Sequence, residues 1–487
     1  MSKENSLRNL KNQILIKSKS AFLYTDLALY YKANSRFIPA EMALKIAISC
    51  QPDFLKAYMA LFHILKDKGE HNHALTLMKK LLVIKDNSEL AYLNIGGLLF
   101  SDNKFNEAEK YTRKAISINY NLEGAHYNLA RILEAQGELE EAEKELLVTI
   151  RLNINFAKAY YILSTYKNPK IERTFLDYLF SDDIIKNISL SDRIDINFAR
   201  SNILHSKKDF EKSSQYLFEA NELKRKVFRF DIDEYIETSL NVINSSSKIF
   251  QSSVRNEFEL KHIFIVGMPR CGSTLVESIL SMNRRTIALG EVNYLEDAIK
   301  EYDKDKIFKK DDLLQKLYSK RILSNLNSPL VSLDKQLYNY LYSYYIITQI
   351  PNAKIISCHR NPLDNILSIY RANFTTDNLY SNSIIDCAKV LKNQRIIMNK
   401  LESKMPDRIY SLNYDHLVKS SDKQIQNLIS WLGWEWNESY LSPHLSMREI
   451  ATASSSQVRY PINEESLAGW LNYQKLLKPA IELFDLN

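Results

Sequence analysis

A step of 34 residues governs the first half of this 487-residue chain. Ala57, Ala91, Ala125 and Ala159 stand one step apart. Ala74, Ala108 and Ala142 form a second series, with Ala40 one step earlier. Tyr58, Tyr92, His126 and Tyr160 follow the first series directly, and Leu61, Ile95, Leu129 and Leu163 keep the same spacing. Gly69, Asn103 and Gly137 fall between the two series, where a chain turns. A period of this length with small residues at two fixed places predicts stacked helix–turn–helix units. Small residues let paired helices approach, and large apolar residues fill the space between neighbours. The three clearest units cover residues 55 to 156, and residues 208 to 226 read as the second helix of a further, degraded unit.

This pattern resembles the tetratricopeptide family. Such an array either binds a peptide or protein on its concave face or serves as a rigid platform for a second domain, and both readings stand. His63, His71, His73 and His126 lie within the repeats without a carboxylate or cysteine cluster, so they read as surface or packing residues.

The second half has other habits. Eight of the 11 prolines and all 4 tryptophans fall after residue 250, the punctuation of an α/β domain. The polar, serine-rich stretch 244 to 259 is the expected boundary, giving a helical domain over 1–250 and a second domain over 258–487. The 4 cysteines are widely spread with no C-x-x-C, which argues against a disulfide framework or a zinc site and suits a reducing cytoplasm. No apolar stretch reaches the 18 or so residues of a membrane span, and the N-terminus lacks a signal core. A net charge of +7 permits an anionic ligand, but no dense Lys/Arg tract points to nucleic acid. Cytoplasmic is the expected location.

Residues 262 to 266, HIFIV, predict a buried parallel strand, and Thr274 to Leu280 a helix. Between them Gly267 and Gly272 have the spacing of a phosphate-cradling loop, where free N–H groups and a helix dipole converge. Ser273 stands where a nucleoside-triphosphatase loop carries lysine, so a P-loop kinase fits poorly. Glu277, not arginine, stands six residues after Cys271, which excludes a cysteine-phosphatase loop. A loop holding a 5′-phosphate with no γ-phosphoryl group remains. Residues 353 to 371 repeat the theme: a short strand, Arg360, then a helix opening at Asn361-Pro362, with an arginine fork for phosphate.

Pro269-Arg270-x-Gly272-Ser273-Thr274-Leu275 after an apolar strand resembles the 5′-phosphosulfate loop of sulfotransferases. The nearest likeness is to protein-tyrosine sulfotransferases and the bacterial tetratricopeptide-sulfotransferases, over roughly residues 258 to 480. The resemblance implies 3′-phosphoadenosine-5′-phosphosulfate as donor and no metal. It implies a donor site of Arg270, Cys271, Gly272, Ser273, Thr274, Arg360, Ser368, Tyr414 and Ser454. Glu291, in Leu289-Gly290-Glu291, resembles the catalytic glutamate and would take the acceptor's proton. Arg270, Lys335 and Ser454 would stabilise charge as the sulfuryl group moves. Serines 454 to 456 are consecutive, so the choice among them is open. Two positions depart from the family: Cys271 replaces a serine, and Gly469 replaces a basic residue before Trp470. Arg459 or Arg371 would supply that charge.

The expected architecture is an all-α tetratricopeptide solenoid followed by a P-loop-like α/β sulfotransferase domain with a central parallel sheet. The expected acceptor is a hydroxyl, as on a tyrosine of a peptide or protein held by the repeats, or a glycan, lipid headgroup or small metabolite. The alternative is a catalytically inactive nucleotide-binding scaffold for protein–protein interaction.

Overall fold

The computed structural model describes residues 3–167, 169–186, 188–246, 260–304, 313–323, 331–374, 376–446, 450 and 457–484. The chain forms two compact units, Met1–Ile154 and Asn155–Asn487.

The first unit is built of helix pairs: Ala21–Ala33 with Phe37–Cys50, Leu55–Asp67 with His71–Ile84, Glu89–Ser101 with Phe105–Ile118, and Glu123–Gln136 with Leu139–Leu152. The periodic alanines of this unit, from Ala40 to Ala142, all have 0% exposure. Each sits where a Cβ is all that close helix packing admits. The turns between paired helices also repeat: Ser35, Gly69, Asn103 and Gly137 all have positive φ, at 56°, 74°, 57° and 95°. A left-handed residue ends one helix and turns the chain into the next.

The second unit holds a five-stranded sheet. Its strands are β1 Lys261–Gly267, β2 Thr286–Gly290, β3 Val331–Asp334, β4 Ala353–His359 and β5 Ile409–Asn413. They run in the order β2-β3-β1-β4-β5 with every pairing parallel. Alternate residues of β1 feed two cores: Phe264 and Val266 join Leu295, Tyr318 and Ile346, while Ile263 and Ile265 join Val276, Ile279 and Leu428. Burial on both faces is why HIFIV is apolar throughout. Thus the fold is a helical-repeat region followed by an α/β domain around a parallel sheet.

Helices Leu190–Ser206 and Phe210–Val227 also belong to this unit. Ile194, Phe198, Leu217 and Ala220 pack with Leu363, Ile366 and Tyr370. Lys208 joins the two helices at φ 62°, the same left-handed turn as in the repeats. Residues 247–259, which hold most of the proposed domain boundary, lie outside the described residues. The division at 250/258 remains a proposal.

Candidate active site

The loop after β1 folds back on itself. Gly267 has φ 152°, and a Cβ there would lie 2.5 Å from the Cys358 carbonyl oxygen and 2.9 Å from the Cys271 sulfur. Gly272, at φ 93°, ends the loop and precedes the helix Ser273–Leu280. A Cβ at Gly272 would overlap the ring of Tyr414. Arg270 takes φ 67°, left-handed although it is not glycine. Three successive loop carbonyls are engaged: Cys271 N donates to Met268 O, Asn365 Nδ2 to Pro269 O at 2.8 Å, and Arg360 Nη1 to Arg270 O at 3.4 Å. Ser273 and Thr274 occupy the first helical turn and are buried.

Cations gather around this loop. Arg270 donates from Nε to Ser368 Oγ at 3.2 Å and from Nη2 to Gln457 Oε1 at 2.8 Å. Burial pulls its guanidinium down to about 10, and the charges of Arg360 and Arg371 push the same way. It stays cationic at neutral pH. Arg360 stacks 4.9 Å above the Tyr414 ring and donates to the Ser466 carbonyl at 2.8 Å. The Tyr414 hydroxyl meets Ser466 Oγ at 3.0 Å. Asn361 caps the helix Pro362–Tyr370 by accepting from Leu363 N and Asp364 N, which sets Ser368 on that helix. Asp364 accepts from the backbone N–H of Ala468 and of Trp470, both at 2.9 Å, which pins the segment around Gly469 beside the helix.

The second group lies at the ends of β2 and β3. Lys335 N donates to Gly290 O at 3.0 Å. Its ammonium, with 0% exposure, donates to Glu291 Oε1 at 2.5 Å and stands 4.0 Å from Glu277 Oε2. The Glu291 side chain is 50% exposed and that of Glu277 only 1%. The neighbouring Asp334 accepts from Tyr318 Oη, Gln336 N and Asn339 Nδ2. Burial pushes its carboxyl up to about 7 despite those bonds, and the Glu277 charge adds to the rise.

The candidate residues therefore form two groups: Arg270 with Ser368 and, through its carbonyl, with Arg360, which stacks on the Tyr414 ring that lies against Gly272; and Lys335 with Glu291. Arg459 directs Nη1 to the Ser446 carbonyl at 2.8 Å. Ser454 lies outside the described residues. Reading the sequence missed Glu277 as a neighbour of Lys335. The signal was present, since it is the one charged residue in the helix STLVESIL. Asn365 and Gln457 were missed because nothing local marks an amide that will reach a distant loop. No group of three or more His, Cys, Asp or Glu residues suited to a metal ion occurs among the described residues.

A glycine-bounded loop between a central parallel strand and a helix, ringed by arginines, is the architecture of an anion-binding α/β domain. Residues 295–438 match the sulfotransferase family, and residues 90–122 match the tetratricopeptide repeat. The chain thus joins tetratricopeptide repeats to a sulfotransferase-family domain. The sulfotransferase match takes in Lys335, Arg360, Ser368 and Tyr414 and begins after the loop and Glu291. An uncharacterized protein of Aquifex aeolicus (strain VF5) is 28% identical over 315 residues, which cover 60% of this chain and 41% of that protein. This chain therefore spans well under half the length of that relative. The sulfotransferase domain of the Synechococcus PCC 7002 olefin synthase is 17% identical with a TM-score of 0.35, covering 49% of this chain and 99% of that one. YrrB, described as a TPR protein with an unusual peptide-binding site, is 18% identical with a TM-score of 0.29, covering 41% and 97%. Scores of this size do not establish a shared fold.

Proposed function

We propose that this chain is a sulfotransferase that moves a sulfuryl group from 3′-phosphoadenosine-5′-phosphosulfate to an acceptor hydroxyl. One observation carries the reading: the fully buried ammonium of Lys335 donates at 2.5 Å to the half-exposed carboxylate of Glu291 at the ends of β2 and β3. A buried cation suits a centre where negative charge develops, and an open carboxylate beside it suits the removal of a hydroxyl proton.

The residues present fit a nucleotide with anionic groups at both ends. Arg360 and Arg371 are each close enough to Arg270 to repel its charge, a cost that bound anions relieve. The buried Nε–H of Arg360 has no hydrogen-bond partner among the described residues. In this reading Cys271, Gly272, Ser273 and Thr274 hold the 5′-phosphate at the helix N-terminus, and Arg360 and Ser368 hold the 3′-phosphate. Tyr414, packed on Gly272 and Arg360, shapes the wall between them, and Ser454 and Arg459 complete the site from the C-terminal segment. The bound donor supplies an activated sulfuryl group on its 5′-phosphate. Glu291 accepts the acceptor's proton, while Arg270 and Lys335 face the negative charge released toward the phosphate. Lys335 must first leave Glu291, and Glu277 then continues to compensate the buried ammonium.

A tyrosine-bearing peptide or protein presented by the repeats is the acceptor we favour, with a glycan as the alternative, and the cytoplasm is the proposed compartment. No helix among the described residues is long and apolar enough to cross a membrane. Calorimetry with 3′-phosphoadenosine 5′-phosphate tests the donor. Binding of this nucleotide in preference to ATP with magnesium is the expected result, and the reverse preference overturns the reading.

A further inference from the structure

Cys271 lies in the phosphate loop and Cys358 on β4, 0% and 1% exposed, and the proposed transfer uses neither thiol. The fold brings them together. Gly267, at the end of β1, is in parallel register with Cys358. The Cβ direction of Gly267 runs into the Cys271 sulfur, 2.9 Å from where that atom would stand. The same Cβ would lie 2.5 Å from the Cys358 carbonyl oxygen, so the Cys271 sulfur stands beside the seam where β1 meets Cys358. Both sulfurs belong to one apolar cluster with Ile265, Val276 and Ile356. Cys358 also lines a cavity of about 470 Å³ with Met268, Arg360 and Asn365, which gives a small molecule a route to Cys358, the neighbour of Cys271 in that cluster.

We propose that Cys271 and Cys358 form a reversible disulfide that locks the phosphate loop to β4 when a peroxide enters this cavity. Cys271 is the attacking group. The Cys358 thiol beside it holds its pKa below the usual value against the effect of burial, helped by Ser273 and by Arg360. Cys358 is pushed well up in turn, by Cys271 and by burial. A cysteine at a helix N-terminus beside a cation is the setting that favours thiolate. The Cys271 thiolate attacks one peroxide oxygen, the O–O bond breaks, and hydroxide leaves with the thiol proton as water. The Cys358 sulfur then attacks the resulting sulfenic acid at sulfur, the S–O bond breaks, and a second water leaves. Two thiols and one hydrogen peroxide give one disulfide and two waters, and a thiol reductant reverses the bond.

The consequence for binding rests on the proposed donor site. Cys271 stands between Arg270 at φ 67° and Gly272 at φ 93°, so the loop has little slack. Closing two sulfurs to about 2.05 Å draws the loop toward β4 and away from the geometry that cradles an anion.

The test treats the full chain with hydrogen peroxide, maps its peptides by mass spectrometry, and titrates 3′-phosphoadenosine 5′-phosphate before and after oxidation. The expected result is a Cys271–Cys358 cross-linked peptide, affinity reduced tenfold or more, and recovery with dithiothreitol. Cys358→Ala removes both the cross-link and the sensitivity to peroxide, while Cys387→Ala, elsewhere in the buried core, keeps both. Absence of the cross-linked peptide from the oxidised wild type overturns the proposal. A cross-linked protein that binds the nucleotide as tightly as the reduced one overturns the locking role. If the reduced protein forms the cross-link yet never binds the nucleotide, the donor reading fails and the disulfide site stands.

Discussion

Lys335 and Glu291 meet at 2.5 Å across a boundary, the lysine with 0% exposure and the glutamate with 50%. The pair joins the end of β3 to the residue after β2, and Glu277 stands 4.0 Å behind the ammonium. One buried cation thus serves two carboxylates of opposite exposure.

Removing the cation leaves Glu277 buried beside an empty place. Lys335→Ala is expected to cost about 3–5 kcal/mol, because the buried Glu277 loses a cation 4.0 Å away and breaking a buried pair from one side is far worse than lacking it. Adding Glu277→Gln to that variant restores part of the loss. Urea denaturation of the two variants checks this. A double variant no more stable than Lys335→Ala shows that Glu277 does not depend on Lys335.

Glu291→Ala touches only the half-exposed partner. It is expected to keep its affinity for 3′-phosphoadenosine 5′-phosphate while transfer falls on the order of 10²–10⁴-fold, the usual worth of a general base. Calorimetry reads the first quantity. Mass spectrometry of sulfated species formed on expression reads the second, with near wild-type yield pointing to another base.

Gly272→Ala separates two effects at one position. A left-handed alanine costs roughly 1–2 kcal/mol by itself, and here its Cβ also meets the Tyr414 ring. Gly433, at φ 73° with nothing within 4 Å of its Cβ, carries the backbone cost alone. Gly272→Ala is therefore expected to lose more thermal stability than Gly433→Ala and, unlike it, to lose nucleotide affinity. Equal losses in both would mean that the Tyr414 ring gives way freely.

His126 is a pH-dependent brace in the repeats. Its Nδ1 meets Glu145 Oε2 at 2.6 Å and its Nε2 the Tyr120 carbonyl at 2.8 Å, two acceptors that call for a doubly protonated ring. Burial pulls the pKa down, but the bonds to Glu145 and Tyr120 outweigh it and raise the pKa above 6.5. A raised folded-state pKa means that this stabilisation is fully present below about pH 6.5 and fades as pH rises through the folded value. The melting difference between wild type and His126→Gln should shrink from pH 5 to pH 9. A difference that grows with pH contradicts the assignment.

The repeats were legible because their rules are local. Small residues at a fixed step and a left-handed turn residue between them act within one unit, so Ala91 and Gly137 carry their own explanation in the sequence. The phosphate loop was legible for the same reason, since strand, glycines and helix are consecutive. Ser35 and Lys208 make the same left-handed turn without glycine, because neighbouring helix packing holds a conformation that their own preferences resist.

Pairings that bridge the sheet belong to the tertiary structure. Lys335 and Glu291 stand 44 positions apart, Arg270 and Ser368 98 apart, and no local pattern joins them. The order β2-β3-β1-β4-β5 puts the loop of β1 at the centre, with the ends of β3 and β4 on its two sides. Cys271 stood out in the sequence only as an odd replacement for serine, and four scattered cysteines argued against a disulfide framework. The register of β1 against β4 gives it a neighbouring thiol. Residue types and short-range spacing were set by the chain alone, whereas each side chain's charge partner and depth from water came from how the strands were ordered and packed.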